Sequence, residues 1–483
     1  MTNPSAKSVR YAWRGASVAA ALTVLGWSGS ASAQGWLADR RFAEGPGIRT
    51  GDLELHPGIG AEGGYDSNWF LRSSNSGPNI VNGAPSLPPT DAAVIRVTPS
   101  FYISTLGIQR RTDAGPPQLT PRFINFRGGV SGTGRFFIGK GYTNQHNVSL
   151  NANARLGVNE GGHVAFGVFG SYARIIQPQV FADPNLAFNR NDIRLGGDLT
   201  FLPGGGTLDL RAGYALQASL YEESNGVPFS SITHEVSIRD RWKFRPRTAL
   251  FSEAILGFVS YPDAPRAAFL LNNSTPLRSR LGVTGLVTNW FGTTVAGGYS
   301  ATFFENPQLV TTRQFDSFNA QVEGTFYVGQ GQGGTDQPGE ATLLLSSIQV
   351  GFQRDFQRSL LGNFYGSNRV YTGLEYWFGG RVVVRLRAIG EQLNYPEVFF
   401  AGTVGPGSPA SSVGEFTNYR LIGSLFAEYR FTQSFGLNTT IDYTRQFSDT
   451  LLPASTLPGT TTPGVFDMNY GRLQAFLGVR YFY

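Results

Sequence analysis

The chain has no cysteine among its 483 residues, only four histidines and two methionines, and charged residues make up just 15 % of it. Without cysteine there is no disulfide framework, no thiolate metal site and no acceptor for a lipid anchor on a mature N-terminus. The histidines, His56, His146, His163 and His234, are scattered and carry no metal-ligand spacing. No nucleophile elbow, phosphate loop or zinc motif is present. The Gly-rich stretch Gly329 to Gly339 has turn composition and no helix after it to complete a nucleotide site. We therefore expect no catalytic site, metal or cofactor, leaving open only catalytic sets whose members lie far apart in the chain. Long hydrophobic runs are missing too. After residue 33 no stretch approaches the roughly 20 consecutive apolar residues that a membrane-spanning helix requires.

What is abundant is glycine, at 62 residues, and aromatics, at 13 %, with a mean hydropathy of −0.14. Residues 1–33 read as a secretory signal peptide: Lys7, Arg10 and Arg14 form a basic front, Ala16 to Trp27 an apolar stretch, and Ala31-Ser32-Ala33 a cleavage site before Gln34. The apolar stretch is too short to span a bilayer. Removing its three basic residues from 39 leaves 36 Lys and Arg against 33 Asp and Glu. The mature chain is nearly balanced, so a pI of about 9.4 gives no argument for nucleic-acid binding. Residues 34–50 are expected to be a periplasmic N-terminal segment.

From residue 51 one device repeats: ten to fifteen residues of apolar/polar alternation, then a break. Period two means one face meets an apolar medium and the other a wet one. Val148, Leu150, Ala152, Ala154 and Leu156 alternate with Asn147, Ser149, Asn151, Asn153 and Arg155, and Leu208, Leu210, Ala212 and Tyr214 with Asp209 and Arg211. Such segments lie near 51–66, 92–105, 122–135, 144–158, 163–176, 191–202, 206–221, 232–244, 248–261, 276–289, 292–304, 313–327, 341–355, 368–378, 381–395, 417–431, 435–447 and 468–483. This is the pattern of an all-β, antiparallel, up-and-down transmembrane outer-membrane β-barrel of about 18 strands over residues 51–483, placed in the Gram-negative cell outer membrane.

The connections agree, because such barrels alternate short periplasmic turns with longer outer loops. Short breaks at Asn159 to Gly162, Pro203 to Gly205, Arg245 to Arg247, Trp290-Phe291, Gly379-Gly380 and Thr432 to Ser434 follow even-numbered segments. Long breaks at 67–91, 177–190, 222–231, 262–275, 396–416 and 448–467 follow odd ones. Two breaks, 106–121 and 328–340, are long where short turns are expected, and are read either as periplasmic insertions or as signs of a missed strand. Leu473, Ala475, Leu477, Val479, Tyr481 and Tyr483 alternate to the last residue, and Tyr481 and Tyr483 are the candidate C-terminal signal for the outer-membrane barrel assembly machinery. Trp242, Trp290 and Trp377 fall at turn-side ends, where an interfacial aromatic girdle belongs. Expected surroundings are outer-membrane lipid and lipopolysaccharide, with no nucleic acid.

The face opposite the lipid is the only functional text. It is mixed but arginine-rich, and candidate lumen-lining residues are Arg239, Arg241, Lys243, Arg381, Arg385, Arg387, Arg420, Glu428 and Arg430. These charges fit two readings: ion-pair ladders bracing the wall, or basic tracks at Arg239-Arg241-Lys243 and Arg381-Arg385-Arg387 that favour an anionic or heavily hydroxylated solute. Sixteen to eighteen strands can leave an aqueous channel.

The run Gly58-Ile59-Gly60-Ala61-Glu62-Gly63-Gly64-Tyr65-Asp66-Ser67-Asn68-Trp69-Phe70 resembles the opening of the β-barrel porin 2 family, whose first strand ends in a Gly-Tyr-Asp-x-Asn pattern. In order and length the resemblance extends over most of residues 45–483. It implies an outer-membrane exit channel for a secreted polysaccharide (exopolysaccharide), acting with a periplasmic polysaccharide export protein through contacts at 34–50, 106–121 and 328–340. A passive diffusion porin for small, anionic solutes is the alternative, with 67–91 as its constricting loop. A barrel enzyme or a structural anchor is the third class. The motif also has a purely structural reading, since Gly63, Gly64 and Asp66-Ser67-Asn68 suit a strand entering its first outer loop.

Overall fold

The computed structural model describes residues 46–73, 80–81, 84–85, 89–105, 123–139, 142, 145–177, 189–222, 229–262, 271–305, 314–328, 346–378, 381–401, 409–453 and 465–483. The expected signal peptide and residues 34–45 lie outside them. Eighteen long strands form the wall: β1 (Leu53–Asp66), β2 (Ala92–Thr105), β3 (Ile124–Ile138), β4 (Asn147–Val158), β5 (Val164–Ile175), β6 (Arg190–Phe201), β7 (Leu208–Tyr221), β8 (Ser231–Arg245), β9 (Thr248–Ser260), β10 (Ser274–Leu286), β11 (Phe291–Phe304), β12 (Gln314–Val328), β13 (Ser346–Arg358), β14 (Phe364–Phe378), β15 (Val382–Tyr395), β16 (Phe416–Arg430), β17 (Phe435–Phe447) and β18 (Tyr470–Phe482). Each pairs antiparallel with its sequence neighbours, and β1 pairs with β18 from Gly58↔Phe482 to Asp66↔Gln474, so the sheet closes on itself. Closure pairs β1 with β18, so neither terminal strand offers an open sheet edge to hydrocarbon.

The expected strands are all present, most within two or three residues. Larger departures are two: β13 starts at Ser346 where 341 was expected, 341–345 lying outside the described residues, and β14 starts at Phe364 where 368 was expected, with β13 running on to Arg358 to form a hairpin with it. Apolar residues on both faces there, Phe356, Leu360, Leu361 and Phe364, broke the period-two signal. The alternating phase of turns holds as well. Strands β2 and β3 pair directly, as do β12 and β13, so no wall strand was missed at 106–121 or 328–340. Both connections lie outside the described residues. A short strand, Ile48–Thr50, folds back on Leu53–Leu55 beyond the point where β18 ends.

Period two separates the faces as expected. Ile238, Leu281, Phe318, Val322, Val370 and Leu477 stand exposed on the exterior. An apolar surface this continuous marks a lipid-facing belt, and the protein is an outer-membrane β-barrel. Trp242 is on that surface, and Trp290 stacks near Phe326 with ring centres 6.1 Å apart. Trp377 is a correction to the expected girdle. It shares the inward face of β14 with Glu375 and lies under the Arg430 guanidinium, 5.8 Å from its ring centre. It does lie near a turn, but its parity with Glu375 turns it into the lumen. Tyr481 is exposed outward, and the Tyr483 amide donates to the Pro57 carbonyl at 3.0 Å, pinning the last residue to β1.

The Gly-Tyr-Asp-Ser-Asn run closes the seam between β1 and β18. Buried Asp66 takes Arg472 of β18 at 2.5 Å and accepts from Gln474 at 2.9 Å. Asn68 donates to the carbonyls of Arg72 at 2.8 Å and Gly471 at 3.0 Å. Arg472 also lies over the Trp69 ring, 4.9 Å from its centre.

Glycine has a second use in the wall. The Tyr102, Phe169, Phe251, Tyr371 and Phe476 rings each lie over the glycine directly opposite on the neighbouring strand: Gly129, Gly196, Gly282, Gly351 and Gly64. A Cβ built on any of these five glycines would collide with the ring. Large rings thus lie flat along the inner wall instead of filling the interior.

Candidate functional site: the lumen

Ion-pair ladders are present, and they recur as one carboxylate held between two arginines. On β8, β9 and β10, Glu253 takes Arg239 at 2.5 Å and Arg280 at 2.5 Å. On β14, β15 and β16, Glu391 takes Arg369 at 2.6 Å and Arg420 at 2.7 Å. On β16 and β18, Glu428 takes Arg430 at 2.6 Å and Arg480 at 2.8 Å. Each carboxylate is nearly inaccessible while at least one of its arginines is part-exposed to the lumen. Such a triad braces the wall by holding two guanidinium groups on one carboxylate.

Other cations are held more loosely, and Arg241, Lys243 and Arg387 have no carboxylate partner among the described residues. Arg241 and Lys243 of β8 and Arg387 of β15 are exposed on the inward face. Arg385 reaches Glu375 at 3.2 Å, with both side chains well solvated. Arg135 donates to Asn147 and Ser149 at 3.3 Å each.

Around these lies a cavity of about 790 Å³ between β1–β3 and β14–β18. Arg96, Arg135, Arg385, Arg387, Arg430 and Arg480 line it together with Tyr102, Trp377, Phe426 and Phe482, against Glu62 as its acid. A second hollow of about 470 Å³ on the facing wall contains Asp209, Arg211, Arg239, Arg241 and Arg280. Guanidinium groups next to aromatic faces are suited to planar anions and to sugar rings, whose C–H faces stack while their oxygens accept hydrogen bonds.

The expected lumen residues thus divide. Arg241, Lys243, Arg385 and Arg387 form open basic tracks. Arg239, Arg420, Glu428 and Arg430 face inward but are engaged in triads, and the last three are buried. Arg381 departs from its track: it stands exposed in the β14–β15 turn at the periplasmic rim, because the strand begins only at Val382. Arg135, Arg369, Arg472 and Arg480 also belong to the inward face, beyond the candidates expected from sequence. The signal was there for β18, where Arg472, Gln474, Phe476 and Arg480 alternate with the outward residues that were read. None of the four histidines joins a metal-ligand cluster among the described residues.

An apolar cluster crosses the outer mouth. Phe229, Val259, Tyr261, Leu271, Leu361, Leu393, Val398, Leu452 and Met468 form one buried apolar cluster drawn from strand ends and outer connections around the ring. Phe229 precedes β8 and Met468 precedes β18, nearly half a turn of the barrel apart, so the cluster spans the opening. Burial there pushes the Tyr261 phenol above its ordinary pKa.

No family model matches the chain, and no curated protein matches it. Among solved structures it is similar to OccAB4 of Acinetobacter baumannii, at 11 % identity over 91 % of this chain and 100 % of that one, with a TM-score of 0.41. It is also similar to the outer membrane protein OpdK of Pseudomonas aeruginosa, at 11 % over 89 % and 99 %, with a TM-score of 0.40. The ferric enterobactin receptor PfeA of the same organism is similar at 10 % over 89 % and 80 %, with a TM-score of 0.40.

Proposed function

We propose that this barrel is an outer-membrane conduit, not an enzyme, and that it exports a secreted polysaccharide with acidic or densely hydroxylated residues. The observation that carries the reading is the cavity in which Arg385 and Arg387 stand beside Trp377 and Phe426. A glycan moving past such a wall exchanges one stacked ring and one guanidinium contact for the next without a deep well, as transport requires. A periplasmic polysaccharide export protein would deliver it, contacting the turn-side segments 106–121 and 328–340. The resemblance of the first strand to the β-barrel porin 2 family supports this direction of transport, although Asp66 and Asn68 are buried and serve the seam.

The alternative is a passive diffusion porin for small anions. Its expected constriction, 67–91, falls partly outside the described residues, and the apolar cluster at the outer mouth supplies the narrowing that such a porin needs. Deleting the gene in its host and assaying surface carbohydrate separates the two. Loss of one polysaccharide, restored by the wild-type gene but not by Arg385→Glu with Arg387→Glu, supports export. Unchanged carbohydrate with altered uptake of small anions leaves the porin.

A further inference from the structure

Strand β13 leaves the wall before it ends. Its ladder with β12 stops at Ala320↔Arg354, although β12 continues to Gln314, so residues 314–319 lack β13 as a partner. The β13–β14 ladder continues to Arg358↔Phe364, while β14 holds β15 from Gly366 onward. The tip of the hairpin, residues 355–367, is therefore a paired unit attached to the wall on one side only. Gly362 and Asn363, both with left-handed φ near +68°, reverse the chain.

The tip bends inward and reaches strands it does not neighbour. Arg358 donates to Thr233 of β8 at 2.8 Å. Arg278 of β10 takes Asp355 at 3.2 Å and donates to the Phe356 carbonyl. The Asn272 amide donates to Asn363 at 2.8 Å, and Phe364 stacks on Phe304 of β11 with ring centres 5.9 Å apart. Leu361, fully buried, joins the apolar cluster of the mouth.

The sequence carries a second position for the same residues. Along β13, Ile348, Val350 and Phe352 face lipid. Extending the β12 register by four residues would put Phe356 on that lipid face opposite Phe318, and Arg358 opposite Asp316. Among the described residues this edge of β12 is open over 314–319, and an unpaired strand edge favours addition of a strand. Phe356 and Arg358 thus have partners in both places: the Arg278 guanidinium, 5.6 Å from the Phe356 ring centre, and Thr233 inside, lipid and Asp316 in the wall.

We propose that the β13–β14 tip is a hinged gate: inserted, it seals the outer mouth, and zipped onto β12, it opens the lumen. Two arrangements of one packed element, each with its own contacts, are what a bistable switch requires. The inference builds on the conduit reading and holds for export and diffusion alike.

The absence of cysteine makes the test direct, since any introduced pair is unique. Asn272→Cys with Asn363→Cys would lock the tip in; Phe318→Cys with Phe356→Cys would lock it in the wall. Folding is checked by heat-modifiable gel mobility and cross-linking by mass spectrometry, and conductance is read in planar bilayers in KCl. We expect both pairs to cross-link under mild oxidant, with the wall-locked barrel conducting at least severalfold more than the mouth-locked one and reductant cancelling the difference. Failure of the folded 318/356 pair to cross-link, or equal conductance of the two locked forms, would overturn the gate. The uncross-linked variant Arg278→Gln with Arg358→Gln must also raise open probability, and an unchanged value counts against the proposal. A working gate in a strain whose polysaccharide survives gene deletion would refute export and leave the gate standing.

Discussion

Replacing Glu428 with Gln tests whether the triads hold the wall. The Glu428 side chain is completely inaccessible and takes Arg430 at 2.6 Å and Arg480 at 2.8 Å. A hydrogen bond to a charged partner contributes about 1.5–3 kcal/mol, so losing the charge from two of them removes about 3–6 kcal/mol at face value. Arg480 is 31 % exposed and regains water, whereas Arg430 at 7 % does not and stays buried with the charge of this carboxylate gone. Discounting the solvated half gives about 3–4 kcal/mol, within the range for breaking a buried pair. The control is Glu375→Gln: that pair lies at 3.2 Å with side chains 51 % and 40 % exposed, where solvent screening limits the cost to about 1 kcal/mol or less. Unfolding by guanidinium in detergent, followed by tryptophan fluorescence and gel mobility, measures both. Equal losses for the two variants would refute the distinction between bracing and free charges.

Arg385→Glu with Arg387→Glu is expected to move the reversal potential in a KCl gradient toward cations, and an unmoved potential would show that the β15 track does not face the conducting path. Asp66→Ala leaves buried Arg472 without its carboxylate, and we expect a loss of about 3–5 kcal/mol, read as poor assembly into heat-modifiable barrels. Gly351→Ala forces the Tyr371 ring off the wall and breaks its hydrogen bond to Glu323 at 2.6 Å. Overpacking of this kind costs about 1–3 kcal/mol and should also reduce single-channel conductance.

The strands were legible because each wall residue faces either lipid or lumen, and period two needs no knowledge of distant partners. Turn phase was legible for the same local reason. Parity alone, however, says which way Arg239 and Arg387 point and nothing of whether a carboxylate meets them. Glu253 lies 14 residues from Arg239 and 27 from Arg280, and only the register decides that it serves both. Trp377 was misplaced because its nearness to a turn was weighed above its parity with Glu375. The hairpin at 355–367 was illegible for a deeper reason: its residues satisfy two environments, so neither pattern is clean. The Gly-Tyr-Asp-Ser-Asn run was conspicuous as a motif, yet its partners Gly471, Arg472 and Gln474 lie some 400 positions away.

A lumen must be rigid enough to hold its diameter and charged enough to choose its solute, and the two demands conflict if every arginine is neutralised by its own acid. The triads resolve this by sharing one carboxylate between two guanidinium groups. Glu253, Glu391 and Glu428 each tie strands together while one of their arginines still offers donors to the interior. Stability and selectivity then become separable. Arg387→Glu, at a solvated position with no partner among the described residues, should change ion preference and leave unfolding unchanged. Glu428→Gln should do the reverse to stability and, by removing a negative charge, make the channel more anion-selective. A barrel in which both variants altered stability alike would have its arginines acting only as mortar, and the conduit reading would lose its chemical basis.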